Sequence, residues 1–378
     1  MTRADPRSRL RVGVNLLWCL SGRVGGSEQY LVRQLVGLLA ADQVDLTVFA
    51  TDEFRSAHGA LLAGATFVTG PHDGGRRAVR VWDENTWLRR NSHGLDVIHH
   101  GGGTAPRSSR RPYVLTIHDL QYRTFPQYFS SVKRRYLNAV VPGSARRAAL
   151  VLVPSDYVRR STLAELHLPA DRVVVVPHGY EPQLLVDRTD EASLRRRLGL
   201  GSNRVVVYPA MTAPHKRHDF LVRLMQQHWT DPDLMLVLIG APGLADDVLN
   251  RSIAAAPALV RERIVRAGRV SDADRNGLLA MATAMVFPSE YEGFGAPVIE
   301  AMALGTPVVC SDATCLPDVA GGAAVVRPLR LDQWADALEQ VAADRDRLVV
   351  AGRRRAEQFT TAVSGQALLE AYRSAVAA

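Results

Sequence analysis

The chain has 378 residues, which is enough for two or three domains of ordinary size. Apolar residues make up 47% and charged residues 22%, a balance typical of globular proteins with buried cores. No run approaches the roughly 18 consecutive apolar residues of a membrane span, and no small-residue cleavage site comes after the apolar stretch VGVNLLWCL. The three cysteines form no CxxC pair. The sequence therefore argues against a membrane-spanning segment, a secretory signal, a disulfide framework and a zinc site, and it predicts a cytoplasmic protein.

The excess of positive charge lies in the first half of the chain. Through Tyr180 there are 24 lysines and arginines against 14 acidic residues, whereas the remainder has 22 against 24. Basic surfaces attract nucleic acid, anionic lipid or phosphorylated ligands. Because no nucleic-acid recognition motif accompanies the charge, we expect no nucleic-acid partner. Two interpretations stay open: solvated helix faces, or peripheral contact with an anionic membrane or a lipid-linked phosphate at the inner face of the plasma membrane.

Short apolar runs alternate with segments of helical spacing along the whole chain. This alternation predicts parallel sheets with helices on both faces. The pattern pauses in a polar segment between residues 178 and 204, which we interpret as a domain link. We predict a domain of residues 1–180 and another of residues 181–362, each a doubly wound α/β fold, with ligands beyond the carboxyl ends of the strands. The predicted strands are 11–17, 44–50, 97–100, 113–118, 149–154, 172–177, 205–209, 234–240, 264–267, 284–288, 308–310 and 323–326.

The first candidate site is a glycine-rich turn between the first strand and the first helix. Gly25 and Gly26 let backbone amides approach a ligand, and a helix that starts near Ser27 adds free N–H groups and a positive dipole end. A phosphate or a sugar hydroxyl would suit this turn, although a tight turn without a ligand is an equal alternative. The spacing is not GxGxxG, which argues against a NAD-dependent oxidoreductase even though Asp52 could serve as its acidic residue.

Histidines lie at the ends of two predicted strands. His118 closes the apolar strand YVLTIHD and is either structural or a hydrogen-bond partner for a sugar hydroxyl. Asp119 would then orient this histidine or position the acceptor. His99 and His100 also end a strand, and we interpret them as loop residues or as residues that line the ligand site.

Lys216 lies in the loop after the strand at 205–209. The chain has only two lysines, Lys133 and Lys216, among 46 basic residues. A lysine kept against this preference for arginine indicates a need for a compact ammonium group rather than a planar guanidinium. We expect Lys216 to face a diphosphate, with His215 or Arg217 adding to it. The alternative is a solvated basic turn.

Two carboxylates, Glu292 and Glu300, flank a glycine-rich turn just after the strand at 284–288. A helix begins near Pro297, where proline suits the first turn. We expect one carboxylate to hold sugar hydroxyls or to respond to positive charge at the anomeric carbon. The other could bind both hydroxyls of a ribose, as acidic residues do in nucleotide-binding folds.

The spacing of Glu292 and Glu300 fits an E-x7-E signature, and the stretch EGFGAPVIEAMALGTPVV resembles the hallmark of the retaining GT-B glycosyltransferases of family 4. The resemblance covers nearly the whole chain. It implies two Rossmann-like domains that face each other across a cleft. Residues 1–180 would form the acceptor side, residues 181–362 would bind the nucleotide sugar, and a terminal helix at 363–378 would pack back on the first domain.

Family roles carry over onto the matching positions. Glu292 would face the donor sugar, Glu300 the ribose, and Lys216 the diphosphate, while His118 would touch the donor sugar. The resemblance thus implies catalytic roles for Glu292, His118 and Lys216. The implied donor-binding residues are Gly25, Gly26, Lys216, Arg217, Val270, Gly293, Phe294, Gly295 and Glu300. The implied acceptor-side residues are Asp119, Ser27 and Glu28.

The resulting prediction is a retaining, metal-independent transfer of a hexose to a glycan or lipid-linked acceptor, with no cofactor and with GDP-mannose as the first donor to test. Preorganised cations and amides would stabilise the departing diphosphate, and we interpret the Asp-x-Asp pairs at 231/233, 272/274 and 344/346 as structural. Ala210 stands where the family has an arginine, and Asp318 stands where it has a glutamate. The alternatives are a nucleotide-sugar epimerase of the same fold and a non-catalytic protein that binds sugar nucleotides.

Overall fold

The structure is a computed structural model that describes residues 9–22, 25–109 and 111–377. The chain forms two compact units. Unit 1 runs through Gly179 and includes the chain from Thr360 onward, whereas unit 2 is Tyr180–Phe359. The boundaries expected from the sequence lie within three residues of these units.

Unit 1 contains, within its described residues, seven strands in one parallel sheet. The strands are β1 (Leu10–Asn15), β2 (Val44–Ala50), β3 (Thr66–Thr69), β4 (Val97–His100), β5 (Tyr113–Thr116), β6 (Leu150–Val153) and β7 (Val173–Val175). The helices are α1 (Gly26–Ala40), α2 (Asp52–His58), α3 (Arg77–Asn85), α4 (Trp87–Asn91), α5 (Gln121–Thr124), α6 (Ser131–Arg147), α7 (Asp156–Leu166) and the last helix of the chain, α18 (Thr361–Ala377). The strand order is β3-β2-β1-β4-β5-β6-β7.

The terminal helix α18 packs against α1 through two glycines. A Cβ atom on Gly37 would come within 1.9 Å of the carbonyl oxygen of Thr361, and a Cβ on Gly365 within 2.2 Å of the carbonyl carbon of Gly37. The two backbones therefore touch, which no larger residue would permit. The hydroxyl of Tyr372 on α18 also lies 2.8 Å from Nδ1 of His99 on β4, so one side of α18 is part of the core of unit 1.

Unit 2 is built on a second parallel sheet. Its strands are β8 (Arg204–Pro209), β9 (Leu234–Ile239), β10 (Ile264–Gly268), β11 (Ala284–Phe287), β12 (Val308–Ser311) and β13 (Val325–Arg327). Its helices are α8 (Glu191–Leu198), α9 (His218–Gln227), α10 (Asp246–Ala254), α11 (Ala258–Arg261), α12 (Asp272–Met281), α13 (Ala296–Ala303), α14 (Leu316–Ala320), α15 (Leu331–Trp334), α16 (Ala337–Ala343) and α17 (Arg345–Ala356). The strand order is β10-β9-β8-β11-β12-β13.

Each sheet reverses its strand order once, between β1 and β4 in unit 1 and between β8 and β11 in unit 2. At such a reversal, the loops that leave the two strands diverge and a crevice opens at the carboxyl edge of the sheet. In unit 2 these two loops are residues 210–217 and 288–295, which carry the basic and acidic motifs found in the sequence.

Several expectations from the sequence differ from the structure. Strand β3 was not expected, because it is a short, partly exposed edge strand without an apolar run. The link at 178–204 is packed into unit 2, since the hydroxyl of Thr189 donates to Asp274 at 2.6 Å. His99 and His100 are not loop residues: they belong to β4 and are buried, at 0% and 1% exposure. No helix in the described ranges combines the length and apolar character needed to cross a membrane.

Candidate active site

An ion pair between Lys216 and Glu292 lies at the strand reversal of unit 2. Lys216 ends a 3-10 turn, Pro214–Lys216, after β8, and Glu292 lies in the loop after β11. The Nζ atom of Lys216 is 2.5 Å from Oε1 of Glu292, and the two side chains are 16% and 12% exposed. The ammonium also lies 5.3 Å from the ring centroid of Phe287. The fold therefore joins the two residues that the sequence placed after separate strands.

A buried tyrosine fixes the backbone of Lys216. Tyr208, at 0% exposure near the end of β8, donates a hydrogen bond to the carbonyl oxygen of Lys216 at 2.7 Å. Its hydroxyl also lies 3.2 Å from Oγ of Ser289, in the loop after β11. Burial raises the pKa of Tyr208 well above its usual value, so the phenol remains a donor. Tyr208 thus ties the two loops together, a role that no sequence motif indicated.

The loop after β12 fixes the backbone of Glu292. The amide of Glu292 donates to Oγ1 of Thr314 at 3.0 Å, and the thiol of Cys315 donates to the carbonyl oxygen of Glu292 at 3.2 Å. Thr314 has a φ of 55°, in the left-handed region that a threonine seldom adopts. Burial raises the pKa of the Cys315 thiol, which keeps its proton. Sequence reasoning missed both residues, although they lie within five residues of the end of a predicted strand at the same sheet edge.

Lys216 is flanked by two basic residues that make different contacts. Arg217 directs Nη1 toward Oε2 of Glu290 at 3.3 Å and Nε toward Oδ1 of Asp219 at 3.4 Å. Burial, and after it the charge of Lys216, lowers the pKa of His215 to about 4, so this imidazole is neutral at pH 7. Arg217 is therefore balanced by carboxylates of its own, and the ammonium of Lys216 is the charge that meets Glu292.

Glu300 does not join this ion pair. It lies on α13 at 4% exposure, and its Oε2 atom is 3.9 Å from Nε of Arg275 on α12. The structure thus places the second carboxylate of the E-x7-E spacing in the interior, beside an arginine that the sequence did not single out. A role at the ribose stays a prediction.

The middle of the glycine-rich turn after Glu292 is buried and has a structural role. Phe294 is 4% exposed and its ring packs edge to face with Phe359 at 5.4 Å, so a donor contact from this residue has to come from its backbone. Gly295 has a φ of 83° and directly precedes α13, and a Cβ there would lie 2.7 Å from the side chain of Leu316. Gly293 and Val270 are partly exposed, Val270 in the loop after β10.

In unit 1, the glycine-rich loop is held by a buried glutamate. Arg23 and Val24 lie outside the described residues. Gly25 has a φ of 72° with open space around it, and α1 begins at Gly26 without a side-chain cap. Ser27, in the first turn, is partly exposed. Glu28 is instead turned inward: its carboxylate accepts hydrogen bonds from Ser21 Oγ at 2.8 Å and the amide of Gly22 at 2.9 Å, and contacts His58 Nε2 at 2.7 Å. The structure therefore gives Glu28 the role of shaping this loop.

His118 lies two residues beyond β5, which ends earlier than expected. Its Nε2 donates to the carbonyl oxygen of Gly101 at 2.8 Å, which leaves Nδ1 as an acceptor, and among the described residues this nitrogen has no partner. Burial lowers the pKa of His118 to about 4, so the ring is neutral. Asp119 accepts a hydrogen bond from the amide of Gln121 at 2.9 Å and so starts α5.

Comparison with known proteins gives the family. The model of the glycosyl transferases group 1 matches residues 190–358, and that of glycosyltransferase family 4 matches residues 24–184. O-antigen chain mannosyltransferase B of Escherichia coli is 31% identical over 75% of this chain and 74% of its own length. The chain is a family 4 glycosyltransferase. A second relative of this glycosyltransferase, the O-antigen chain mannosyltransferase RfbU of Salmonella typhimurium, is 23% identical over 84% of the chain and 87% of its own length.

Solved structures show the same fold for this glycosyltransferase. Anabaena HepE in complex with UDP-glucose superposes with a TM-score of 0.76 at 21% identity, over 97% of this chain and all of that one. WaaG, a glycosyltransferase involved in lipopolysaccharide biosynthesis, gives a TM-score of 0.67 at 13% identity, over 96% and 98% of the two chains. The two Rossmann-like units are those of the GT-B fold.

Proposed function

We propose that this enzyme transfers a hexose from a nucleotide-diphosphate sugar to a glycan or lipid-linked acceptor, with retention of the anomeric configuration and without a metal ion. The observation that carries the proposal is the Lys216–Glu292 pair at the strand reversal of unit 2. It combines a cation suited to a diphosphate with a carboxylate suited to a sugar, at the sheet edge where doubly wound folds bind nucleotides.

In the proposed reaction, the bond between the anomeric carbon and the diphosphate oxygen breaks, and the diphosphate leaves with the electron pair. A bond forms between that carbon and the acceptor oxygen on the same face, and the acceptor proton passes to the departing phosphate. Negative charge grows on the diphosphate, where the ammonium of Lys216 stabilises it. Positive charge grows at the anomeric carbon, where the carboxylate of Glu292 is the matching group.

The Asp-x-Asp pairs support the metal-independent form of the proposal. Asp274 is engaged with Arg197 at 2.6 Å and with Thr189. Asp231 pairs with Arg204, and Asp344 lies 2.8 Å from Arg347. These carboxylates neutralise arginines of unit 2, and Lys216 supplies the charge that a divalent cation would otherwise bring to the diphosphate.

The relatives favour mannose as the sugar. Two of them are named as O-antigen chain mannosyltransferases, so we propose GDP-mannose as the first donor and UDP- and TDP-sugars as its competitors. Their names also favour a glycan acceptor, which we place at the cytoplasmic face of the membrane. Nδ1 of His118 has no partner among the described residues of unit 1, and we propose that it accepts a hydrogen bond from a sugar hydroxyl.

A donor-hydrolysis screen tests this proposal, because slow hydrolysis reveals a donor without its acceptor. We expect release of nucleoside diphosphate from one class of nucleotide sugar, unchanged by EDTA, and an NMR spectrum of the transfer product that shows the anomer of the donor. An inverted anomer or full loss of activity in EDTA would contradict the mechanism. An epimeric sugar nucleotide formed without acceptor would favour the epimerase, and tight donor binding without turnover would favour a non-catalytic binding protein.

A further inference from the structure

Unit 1 exposes two large apolar side chains on neighbouring helices. Trp82 on α3 is 68% exposed and Val132 on α6 is 76% exposed. Among the described residues, Trp82 is the one aromatic residue in the group of exposed large hydrophobic side chains. Exposed apolar side chains indicate an interaction site when they belong to a larger patch, whereas single ones are ordinary.

A cation–π contact joins the two helices. The guanidinium of Arg77 on α3 lies 5.0 Å from the ring centroid of Tyr136 on α6. Val132, Arg135 and Tyr136 share one side of α6, because residues three and four apart are neighbours on a helix. The exposed residues Arg76, Arg77, Trp82, Val132, Lys133 and Arg135 are here called the α3–α6 face.

The α3–α6 face lies in the most basic part of the chain. Residues 76–147 contain 14 lysines and arginines and four acidic residues. Asp83 and Glu84 are buried at 4% and 6% exposure, and Asp96 lies 2.7 Å from Arg11. The fourth, Asp119, holds the start of α5. Asp83, Glu84 and Asp96 are therefore engaged with His72, Arg80 and Arg11, and none of these three partners belongs to the α3–α6 face.

A basic recess lies on the α3–α4 segment beside Trp82, since Asn85 and Thr86 follow Trp82 by three and four positions. It has a volume of about 260 Å³ and is lined by Asn85, Thr86, Arg89, Arg90 and His93. Arg89 and Arg90 are exposed in the last turn of α4. Two guanidinium groups beside an amide and a hydroxyl suit a phosphate group.

We propose that the α3–α6 face docks unit 1 on the surface of an anionic lipid bilayer. Trp82 and Val132 enter the headgroup region, where indole rings are favoured, and the basic side chains meet the negative surface potential. The recess with Arg89 and Arg90 holds a headgroup phosphate. Exposed apolar groups within the basic surface favour lipid over nucleic acid as the partner. The inference rests on the proposed function in one respect, because a lipid-linked acceptor requires the enzyme to be at a membrane surface.

Sedimentation of the full-length protein with vesicles tests the proposal. We expect binding to vesicles of phosphatidylcholine and phosphatidylglycerol, little binding to phosphatidylcholine alone, and release by salt. The double variant Lys133→Glu and Arg135→Glu should lower the partition coefficient by about tenfold or more, since each basic residue at the surface adds to the attraction. Trp82→Ala should weaken binding while keeping its salt dependence.

Matched variants in unit 2 control for net charge and apolar area. Arg251→Glu with Arg354→Glu makes the same change in charge on exposed residues, and Leu259→Ala removes an apolar side chain that is 78% exposed. Both should bind vesicles as the wild type does. Donor hydrolysis without vesicles, measured in the same variants, should be unchanged. A failure of the proposed enzymatic function can therefore be distinguished from a failure of membrane docking.

Several outcomes would overturn the docking proposal. The first is equal binding to anionic and neutral vesicles, and the second is an equal loss of vesicle binding in the unit 2 controls. The third is binding of a single-stranded oligonucleotide that is abolished by Trp82→Ala and by the charge variant, while both variants still bind vesicles.

Discussion

The ammonium of Lys216 lies 2.5 Å from the carboxylate of Glu292, although 76 positions separate the two residues. They meet because β8 and β11 are neighbours in the sheet of unit 2 and the loops that leave them share its carboxyl edge. Buried hydrogen bonds from Tyr208 and Cys315 hold the two backbones, and a hydroxyl of Thr314 accepts from the amide of Glu292. The charged groups are therefore positioned by the fold before any donor binds.

Replacing Lys216 should weaken the binding of nucleoside diphosphates. Lys216→Ala removes the cation that faces the diphosphate, and a hydrogen bond to a charged group contributes about 1.5–3 kcal/mol. We expect the dissociation constant for GDP or UDP, measured by calorimetry, to rise by roughly 10- to 100-fold. The nucleoside itself should bind as before.

The chain offers a matched control in Lys133→Ala, because Lys133 is its other lysine and lies on α6 of unit 1. Equal affinity of Lys216→Ala and wild type for the diphosphate would remove Lys216 from the donor site.

Tyr208→Phe should weaken the attachment of the loop at 210–217 that carries Lys216. The change keeps the buried ring but leaves the carbonyl oxygen of Lys216 without its donor, at a cost of about 1–3 kcal/mol. We expect a lower free energy of unfolding in urea together with weaker binding of GDP or UDP. Tyr136→Phe, on the surface of α6, serves as the control. Unchanged stability and affinity in Tyr208→Phe would mean that this hydroxyl does not position the loop.

Gly365→Ala should separate α18 from α1. The new Cβ would lie 2.2 Å from the carbonyl carbon of Gly37, and backbone cannot yield as a flexible side chain does. Overpacking of this kind costs about 1–3 kcal/mol, which thermal unfolding should report. Gly143→Ala on α6 is the control, because its Cβ would meet only the end of Arg147 at 3.1 Å. Equal melting temperatures for both variants would rule out a close contact between the helices.

Acid should destabilise unit 1 through its buried histidines. Burial lowers the pKa of His99 and His100 to about 3 and that of His118 to about 4. An unfolded chain binds these protons near pH 6.5, so between about pH 6.5 and 4 the unfolded state holds more protons and stability falls as the pH falls. Each histidine contributes a slope of about 1.4 kcal/mol per pH unit in this window.

Urea unfolding between pH 8 and pH 5 measures this effect. The contribution of these histidines should be flat above pH 7 and fall below pH 6.5, and His99→Gln should reduce the slope whatever its effect on stability at pH 7. A variant with the slope of the wild type would show that His99 is not buried in its neutral form.

The sequence was sufficient for the fold and for the sheet edge that carries Lys216 and Glu292, because both depend on the apolar strands and on the residues at their carboxyl ends. The ion pair between the two side chains was not predicted. Lys216 and Glu292 lie in the loops that leave two such strands, and parallel strands bring their carboxyl ends to one edge. The contact of Glu300 with Arg275 could not be predicted in this way, because it depends on how α13 packs against α12. Contacts such as that of Thr314 with Glu292 depend on a loop backbone with a positive φ, which the sequence does not specify.

Residues of unit 1 show the same limit. His99 and His100 lie at the carboxyl end of a strand, as the site residues of unit 2 do, yet their side chains point into the core, where His99 meets Tyr372 of α18. That partner lies 273 positions away. Position at the end of a strand therefore predicts which edge a residue occupies, and only packing determines whether its side chain reaches solvent.

The measurement that tests the central claim most directly is sugar release by Glu292→Gln, with nucleoside diphosphate binding measured on the same protein. Glutamine keeps the shape of the side chain and removes its charge. We predict a fall of about 100- to 1,000-fold in the rate of donor hydrolysis and transfer, with the affinity for the diphosphate nearly unchanged and with full activity in the surface control Glu262→Gln. A Glu292→Gln variant that transfers sugar at the rate of the wild type would contradict the assignment of the active site.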